Sequence, residues 1–293
     1  MLLLTGATGL VGSTVLRRLV AEGSQVRCLV RDPKGLGADR VRVQIALGDL
    51  TDPPSFRNAM RGVHTVVHLA ASIRDQPRGS IEELNGIATW RMVEAAQRQG
   101  VERFVYFSAL GASTHHRTRL LRAKALAEQA VAEADMQTII FAPSIIYAPG
   151  DPWMTLLERM SLLPLMPVPG RGRALYQPIW AQDVADCVVA ALRGQDGPRS
   201  QRHELAGPET LSHNDIIRAV LASHARRRPL IHVPTPIVSR SLRLLEATAG
   251  QGAFATWDEA ELMEVTMTSP RGAAGAEALG VSPQRMAAVL GTA

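Results

Sequence analysis

Gly6, Gly9 and Gly12, spaced three apart in the run TGATGLVG, form the most chemically specific pattern near the start of the chain. The uncharged run Met1–Leu4 precedes them, and Val15, Leu16, Leu19 and Val20 then fall on one face of a helix over Ser13–Ala21. A buried strand, a glycine turn and a helix N-terminus make an anion site, because free backbone N–H groups and the helix dipole face the ligand. In this reading Gly6 lets the chain turn, Gly9 lets backbone approach a pyrophosphate, and Gly12 lets helix and strand pack closely. A glycine triplet alone fits a structural turn equally well; the strand–turn–helix context selects dinucleotide binding. Thr5, Thr8, Leu10 and Val11, interleaved with the glycines, are expected in the same cofactor loop.

Two further places would choose the nucleotide. Val30 ends the second strand, Gln25–Val30, where an acid accepting from both ribose hydroxyls would favour NAD. Arg31 follows, a residue type suited to a 2′-phosphate and so to NADP, with a solvated loop arginine as the lesser alternative. Asp32, one step on, keeps NAD open. After the third strand, Val41–Leu47, comes Gly48-Asp49-Leu50. Asp49 can accept from an adenine amino group or cap the next helix. Asp52, before Pro53 and Pro54, is the better cap and leaves Asp49 freer for a ligand. The fourth strand, Thr65–Ala71, ends in small residues where a cofactor would cross, with Leu69, Ala70 and Ala71 expected to bind it, and His68 within it reads as a buried, hydrogen-bonded histidine.

The elements that must hold these residues alternate regularly. Helices are expected at Ser55–Arg61, at Ile81–Gln99 with Gly100 as its cap, and at Leu120–Ala134; strands at Arg103–Ser108 and Thr138–Ile146. Such alternation is the signature of an α/β fold with a doubly wound parallel sheet. After Gly150 the pattern loosens into a helix at Trp153–Leu162, the apolar run LLPLMPVPGRGRAL, a strand at Tyr176–Trp180 and an Asp183-capped helix at Val184–Leu192. A short strand at His203–Ala206, a Ser212-capped helix at Asn214–Ala225, an amphipathic helix near Ile237–Ala249 and a last helix near Pro283–Leu290 complete the chain. The expected organisation is a dinucleotide-binding core over 1–150 and a smaller C-terminal lobe over 151–293, for substrate or partner, with some segments returning to the core.

Composition narrows the classes. With 293 residues, 46% hydrophobic and 20% charged, the chain is globular rather than disordered. Its net charge is +5, and of 32 basic residues only Lys34 and Lys124 are lysine. The clusters Arg117–Arg122 and Arg226–Arg228 lack interleaved aromatics, which argues against nucleic acid. Cys28 and Cys187 sit in apolar runs and read as buried thiols, with neither a disulfide framework nor a metal-binding spacing. Leu2–Leu4 is too short for a signal-peptide core, and no uncharged stretch reaches the length of a transmembrane segment, so a cytoplasmic protein is expected.

Together with FVYFSALGA, LLRAKALAEQAV, FAPSIIYAPGD, YQPIWAQDVADCVVAAL and HELAGPETLS, these motifs resemble the short-chain dehydrogenase/reductase superfamily in its extended and atypical branches. Within it they look like a subgroup of bacterial NAD(P)-binding, NAD-dependent epimerase/dehydratase-like proteins similar to the nucleotide-binding accessory subunit of respiratory complex I. The resemblance spans Leu2–Ser212. It implies a Rossmann-type doubly wound sheet, a nicotinamide cofactor, and Ser108, Lys124, Pro143, Ser144 and Ile145 at its nicotinamide end.

In catalytic members a Tyr-x-x-x-Lys pair follows the fifth strand; the Tyr exchanges a proton with the substrate oxygen and the Lys lowers its pKa and binds the ribose. Here the motif reads Leu120-Leu121-Arg122-Ala123-Lys124, and Ala109-Leu110 stands where a second hydroxyl is usual. Leucine has no proton to exchange, and losing the group that stabilises a developing alkoxide removes orders of magnitude in rate. The replacement acids to weigh are His115 and His116, which titrate in a suitable range but read more plainly as part of a solvated basic loop, and Tyr147.

The resulting expectation is an NAD(P)(H)-binding protein preferring NADP(H), with NAD(H) open, weak or absent Tyr-dependent catalysis, and a structural, sensing or assembly role. The alternative is an active oxidoreductase or epimerase with a non-standard acid. A third reading makes the chain a subunit of a larger complex, peripheral to a membrane, held by the MSLLPLMPVPG loop or the Ile237–Ala249 helix.

Overall fold

The N-terminal apolar run becomes the middle of the sheet. In the computed structural model, which describes residues 1–194, 198–238, 240 and 256–291, the first half runs β1 (Leu2–Thr5), α1 (Leu10–Ala21), β2 (Val26–Val30), β3 (Gln44–Leu47), α2 (Pro53–Arg57), β4 (Thr65–His68), α3 (Ala88–Arg98), β5 (Arg103–Phe107), α4 (Arg119–Ala132), β6 (Gln137–Pro143) and β7 (Ile146–Tyr147). It continues with α5 (Pro152–Met160), β8 (Met166–Pro169), β9 (Leu175–Tyr176), β10 (Ile179–Trp180), α6 (Ala181–Arg193), β11 (Ser200–Leu205), β12 (Leu211–Ser212), α7 (His213–Ser223), β13 (Leu230–Val233) and α8 (Trp257–Leu262).

Seven strands pair in the order β11-β6-β5-β4-β1-β2-β3, all parallel, as helical crossovers require. Successive side chains of a strand face opposite sides. Leu2, Leu4, Cys28 and Val30 pack with Val15 of α1 and Val184 of α6, while Leu3, Leu29, Val66 and Phe104 pack with Met92 of α3 and Val131 of α4. This is the Rossmann-type doubly wound sheet. A third apolar cluster, including Tyr147, Met154, Tyr176, Ile216 and Met267, forms from segments after β6 together with Leu110 and Leu121. Cys28 and Cys187 are buried free thiols, both pushed up to about 12 by burial. Among the described residues no helix is long and apolar enough to cross a membrane.

Several expected boundaries move for local reasons. Residues Pro33–Arg42 form a 3₁₀ run broken at Gly37, so β3 starts at Gln44 rather than Val41. The long helix before β5 contains a π-helical turn at Glu83–Ile87. The expected strand Tyr176–Trp180 is two strands: β9 pairs antiparallel with β12, and β10 pairs parallel with β7. Pro178 lies between them and cannot donate to a ladder. His203–Ala206 is the end of β11, which returns to the main sheet outside β6. Asp183 does not cap α6; Trp180 holds the cap position, and the Asp183 carboxylate accepts from the Gln284 N–H at 2.9 Å. Ser212 does cap α7, in a reciprocal capping box with Asp215. The expected helix near Ile237–Ala249 lies mostly outside the described residues, and the last helix is short, Met286–Val289.

Candidate functional site

The glycine loop takes its shape from three different constraints. Gly6 has φ +73°, and a Cβ there would lie 2.6 Å from the Ala70 nitrogen, so the loop crosses the end of β4 with no room for a side chain. A Cβ on Gly12 would lie 2.0 Å from the Gly6 carbonyl oxygen, which fixes how closely α1 packs on the turn. Gly9 differs: its Cβ would meet only the Gly6 oxygen, at 3.4 Å, and would otherwise enter open space. Gly9 is also the N-cap of α1, with no side-chain cap and no acid in the first turn. The first N–H groups of a helix have no intrahelical partner, so this end presents donors and a positive dipole. Open space beside Gly9 that a side chain would enter, set at a helix N-terminus, fits a pyrophosphate.

The loop opens onto a cleft of about 300 Å³ at the carboxyl ends of the central strands. Thr5, Gly6, Thr8, Gly9, Arg31, Asp49, Leu50, Leu69, Ala70 and Ala71, each expected from the sequence, are brought together in its wall. Leu29, Val30, Gly48, Ser72, Gln76 and Leu84 also line it and were not among the expected site residues. Leu10, Val11 and Gly12 form the first turn of α1 behind the glycine loop. Arg31 is exposed and makes no hydrogen bond or ion pair among the described residues. Asp32 is already engaged, accepting the Lys34 N–H at 2.9 Å. Asp49 is less free than expected. Its carboxylate accepts from the Thr51 N–H and hydroxyl at 3.0 and 2.9 Å and pairs with Arg78 at 3.2 Å, whereas Asp52 makes no side-chain cap. Burial would raise the Asp49 pKa, but the Thr51 and Arg78 bonds, with Arg31's charge, hold it below the ordinary value.

Beneath the cleft, a buried hydrogen-bond relay ties three elements together. Thr89 donates to the Asn85 carbonyl at 2.7 Å, so its oxygen lone pair accepts from His68 Nε2 at 3.1 Å. The Nε2 proton leaves Nδ1 as an acceptor, and the Thr5 hydroxyl donates to it at 2.8 Å; Thr5 in turn accepts the Ala70 N–H at 3.3 Å. His68 is therefore neutral, and burial, with Lys124's charge adding to it, pushes its pKa down to about 3. The same π-helical turn carries Asn85, whose amide clamps the Ser72 main chain from both sides, accepting from its N–H at 3.2 Å and donating to its carbonyl at 2.7 Å. His68 is thus the buried, hydrogen-bonded histidine that the sequence indicates, and it positions the β4 end.

One strand further across the sheet lie Ser108, Leu120 and Lys124. The Lys124 ammonium is buried and donates to the Phe107 carbonyl at 2.6 Å, with the Tyr106 ring 5.1 Å below it. Burial lowers its pKa to about 8. The Ser108 hydroxyl is buried and has no partner among the described residues. Leu120, half-buried, occupies the first turn of α4. Next to it, Arg119 binds Asp75 at 2.9 Å, Glu82 at 2.7 Å and Asp258 at 3.5 Å, and Arg74 binds Glu259 at 2.6 Å. These pairs join the β4–α3 loop, the start of α4 and α8.

The three replacement acids lie in different surroundings. Tyr147 is fully buried, and burial pushes its phenol far above the ordinary value. His115 is exposed, and His116 Nδ1 accepts the Thr118 N–H at 3.1 Å in the turn before α4. Ser144 is not turned to the cleft: its hydroxyl donates to the Met267 carbonyl at 2.6 Å and accepts the Gln177 N–H at 3.0 Å. Its neighbours serve main-chain pairing, Pro143 accepting from the Leu110 N–H and Ile145 from the Ile179 N–H.

Parallel sheet, glycine loop and cleft together define a dinucleotide-binding α/β protein. The sequence model of a family described as NAD(P)H-binding matches residues 6–195, and the chain belongs to that family. Its relatives include the mitochondrial NADH dehydrogenase [ubiquinone] 1 alpha subcomplex subunit 9 of Arabidopsis thaliana, 29% identical over 248 residues and 79% of this chain. The match spans 60% of that relative's length. Sterol demethylase protein B of Methylococcus capsulatus is 31% identical over 268 residues, covering 83% of this chain and 80% of that protein. Among solved structures, a UDP-glucose 4-epimerase of Thermus thermophilus in complex with NAD superposes with TM-score 0.71 at 18% identity, over 97% of this chain and 94% of the other. That likeness is one of fold.

Proposed function

We propose that the chain binds NADP(H) in the cleft, with the pyrophosphate on the Gly9 turn and the 2′-phosphate on Arg31, and that it carries out little or no Tyr-dependent turnover. One observation carries the reading: Leu120 stands at the proton-donor position, beside a lysine that is retained and buried and a serine whose hydroxyl has no partner among the described residues. Asp49 and Leu50 would flank the adenine side, Leu69 to Ala71 the middle of the cofactor, and Ser108 and Lys124 its ribose end. A bound nicotinamide would supply hydride exchange. The residues of this chain bind and orient it but bring no phenol to the substrate oxygen. The nucleotide then serves structure, sensing or assembly. The relative that is a subunit of a respiratory complex supports the assembly role and a place at the periphery of a membrane complex. A working oxidoreductase or epimerase is the second reading, favoured by the relative named for sterol demethylation.

Calorimetric titration with NADPH and NADH tests the cofactor reading. A charged bidentate contact to phosphate is worth roughly 1.5–3 kcal/mol, so NADPH is expected to bind one to two decades more tightly. Arg31→Ala should erase that preference. Equal affinities in the wild type, or a preference that survives Arg31→Ala, would refute it. In an NADPH-oxidation assay across ketones, aldehydes and quinones, background rates are expected. Turnover lost in His115→Ala, His116→Ala or Tyr147→Phe would instead establish the second reading and name its acid.

A further inference from the structure

Four consecutive exposed residues, Leu162, Leu163, Pro164 and Leu165, lie between α5 and β8. The three leucines are 64%, 48% and 45% exposed. An uninterrupted apolar run facing water is unusual unless something covers it. The loop is also held in shape. The Leu162 and Leu163 N–H groups donate to the Arg159 and Met160 carbonyls at 3.1 and 3.0 Å, and Arg228 Nε donates to the Leu163 carbonyl at 2.9 Å. β13 pairs with β8 and puts Ile231, 43% exposed, opposite Pro167, which widens the apolar surface.

Arginines border this surface. Arg226 reaches the Ser161 hydroxyl at 2.5 Å and Arg228 the leucine loop itself, which places the Arg226–Arg228 run alongside it. Arg159 precedes the loop by one helical turn. Residues 158–170 and 222–238 contain four arginines and one acid, the half-buried Glu158. Glu264, the acid that approaches from the Gly170 side, is taken up by Thr235 and Arg117. Arg159 and Arg227 are exposed, and neither side chain makes a hydrogen bond or ion pair among the described residues.

We infer that this patch docks on the surface of an anionic bilayer. Leucines that enter the headgroup boundary by about 5–10 Å, ringed by guanidinium groups able to bind lipid phosphates, combine the two attractions that peripheral attachment needs. Charge complementarity selects this occupant: an apolar run bordered by four arginines, with Glu158 the one acid beside it in the chain, matches a layer of phosphates over hydrocarbon. The surface lies outside the residues lining the nucleotide cleft, so the inference stands whether or not the nucleotide reading does.

Vesicle flotation of the full chain tests it, with phosphatidylcholine vesicles that contain or lack phosphatidylglycerol. Binding is expected only with phosphatidylglycerol and should weaken as salt is raised. Leu162→Ser, Leu163→Ser and Leu165→Ser combined should lower the partition coefficient roughly tenfold or more. Arg159→Ser and Arg227→Ser should each lower it roughly fivefold. Melting temperature and NADPH titration establish that these variants are folded. No binding to either vesicle, equal binding to both, or variants that bind like the wild type would overturn the inference. So would loss of a co-purifying protein in the leucine variant while vesicle binding stays intact, which would make the patch a protein interface.

Discussion

Lys124 is held where a cation is poorly solvated. With the residue only 7% exposed and its pKa lowered from 10.5 to about 8 by burial, the ammonium form is disfavoured in the folded chain. The sign follows from linkage: the penalty is fully present below pH 8 and fades as pH rises toward 10.5. A lysine kept under such a penalty, in a chain whose other basic residues are nearly all arginine, points to a ligand rather than to stability. Lys124→Met is therefore expected to weaken nucleotide binding by roughly 1–2 kcal/mol, with a melting temperature at pH 7 equal to the wild type's or higher. Titration and thermal melting check this; a lower melting temperature would mean that the bond to the Phe107 carbonyl is the lysine's main contribution. The glycines separate in the same way. Gly9→Val should abolish nucleotide binding yet leave the fold, because its side chain enters the cleft, whereas Gly12→Ala drives a methyl into the Gly6 carbonyl and should destabilise the protein itself. Circular dichroism beside NADPH titration distinguishes the two outcomes.

At the scale of elements, the relay from Thr5 through His68 and Thr89 to Asn85 fastens β1, β4 and the helix before β5 at one buried point. Its histidine must stay neutral. Its folded pKa, about 3, is below the unfolded value of 6.5, so the unfolded chain binds the extra proton. Stability should fall by up to about 1.4 kcal/mol per pH unit as pH drops below 6.5, levelling near 3. His213, lowered to about 4 by burial, adds a slope of the same sign. Urea unfolding at pH 7 and pH 5 should show the loss, and His68→Gln should reduce its size; an unchanged pH dependence would remove His68 from the explanation. Little of this relay was legible beforehand. The glycine turn is a local pattern, readable from spacing and flanking apolar residues, and the small residues after His68 belong to the same strand end. Thr5, His68 and Thr89 meet only through the strand register and the π-helical turn, and residues 81–99 also satisfy ordinary helical periodicity. The break at Pro178, by contrast, was readable from a proline inside a strand pattern.

For the whole molecule, the ionic ties of Arg119 and Arg74 matter as much as the sheet. They connect a loop beside the cleft to α8, which lies far along the chain. Spacing within the sequence gives no indication of these partners, just as it does not show that Ser144 is engaged with Met267. The alternation of strand and helix made the core legible, while the segments after Gly150 acquired their pairings from surfaces that the core already presents. The position of β11 has a consequence for synthesis. Until residues 200–205 have been made, the outer edge of β6 is a row of unpaired N–H and C=O groups along a buried-type apolar strand. The nascent chain thus passes through a stage with the glycine loop and six sheet strands in hand and the apolar β6 border still open. A ribosome that pauses or terminates before Ser200 would release a species that is close to native in its cleft and prone to aggregation along that border.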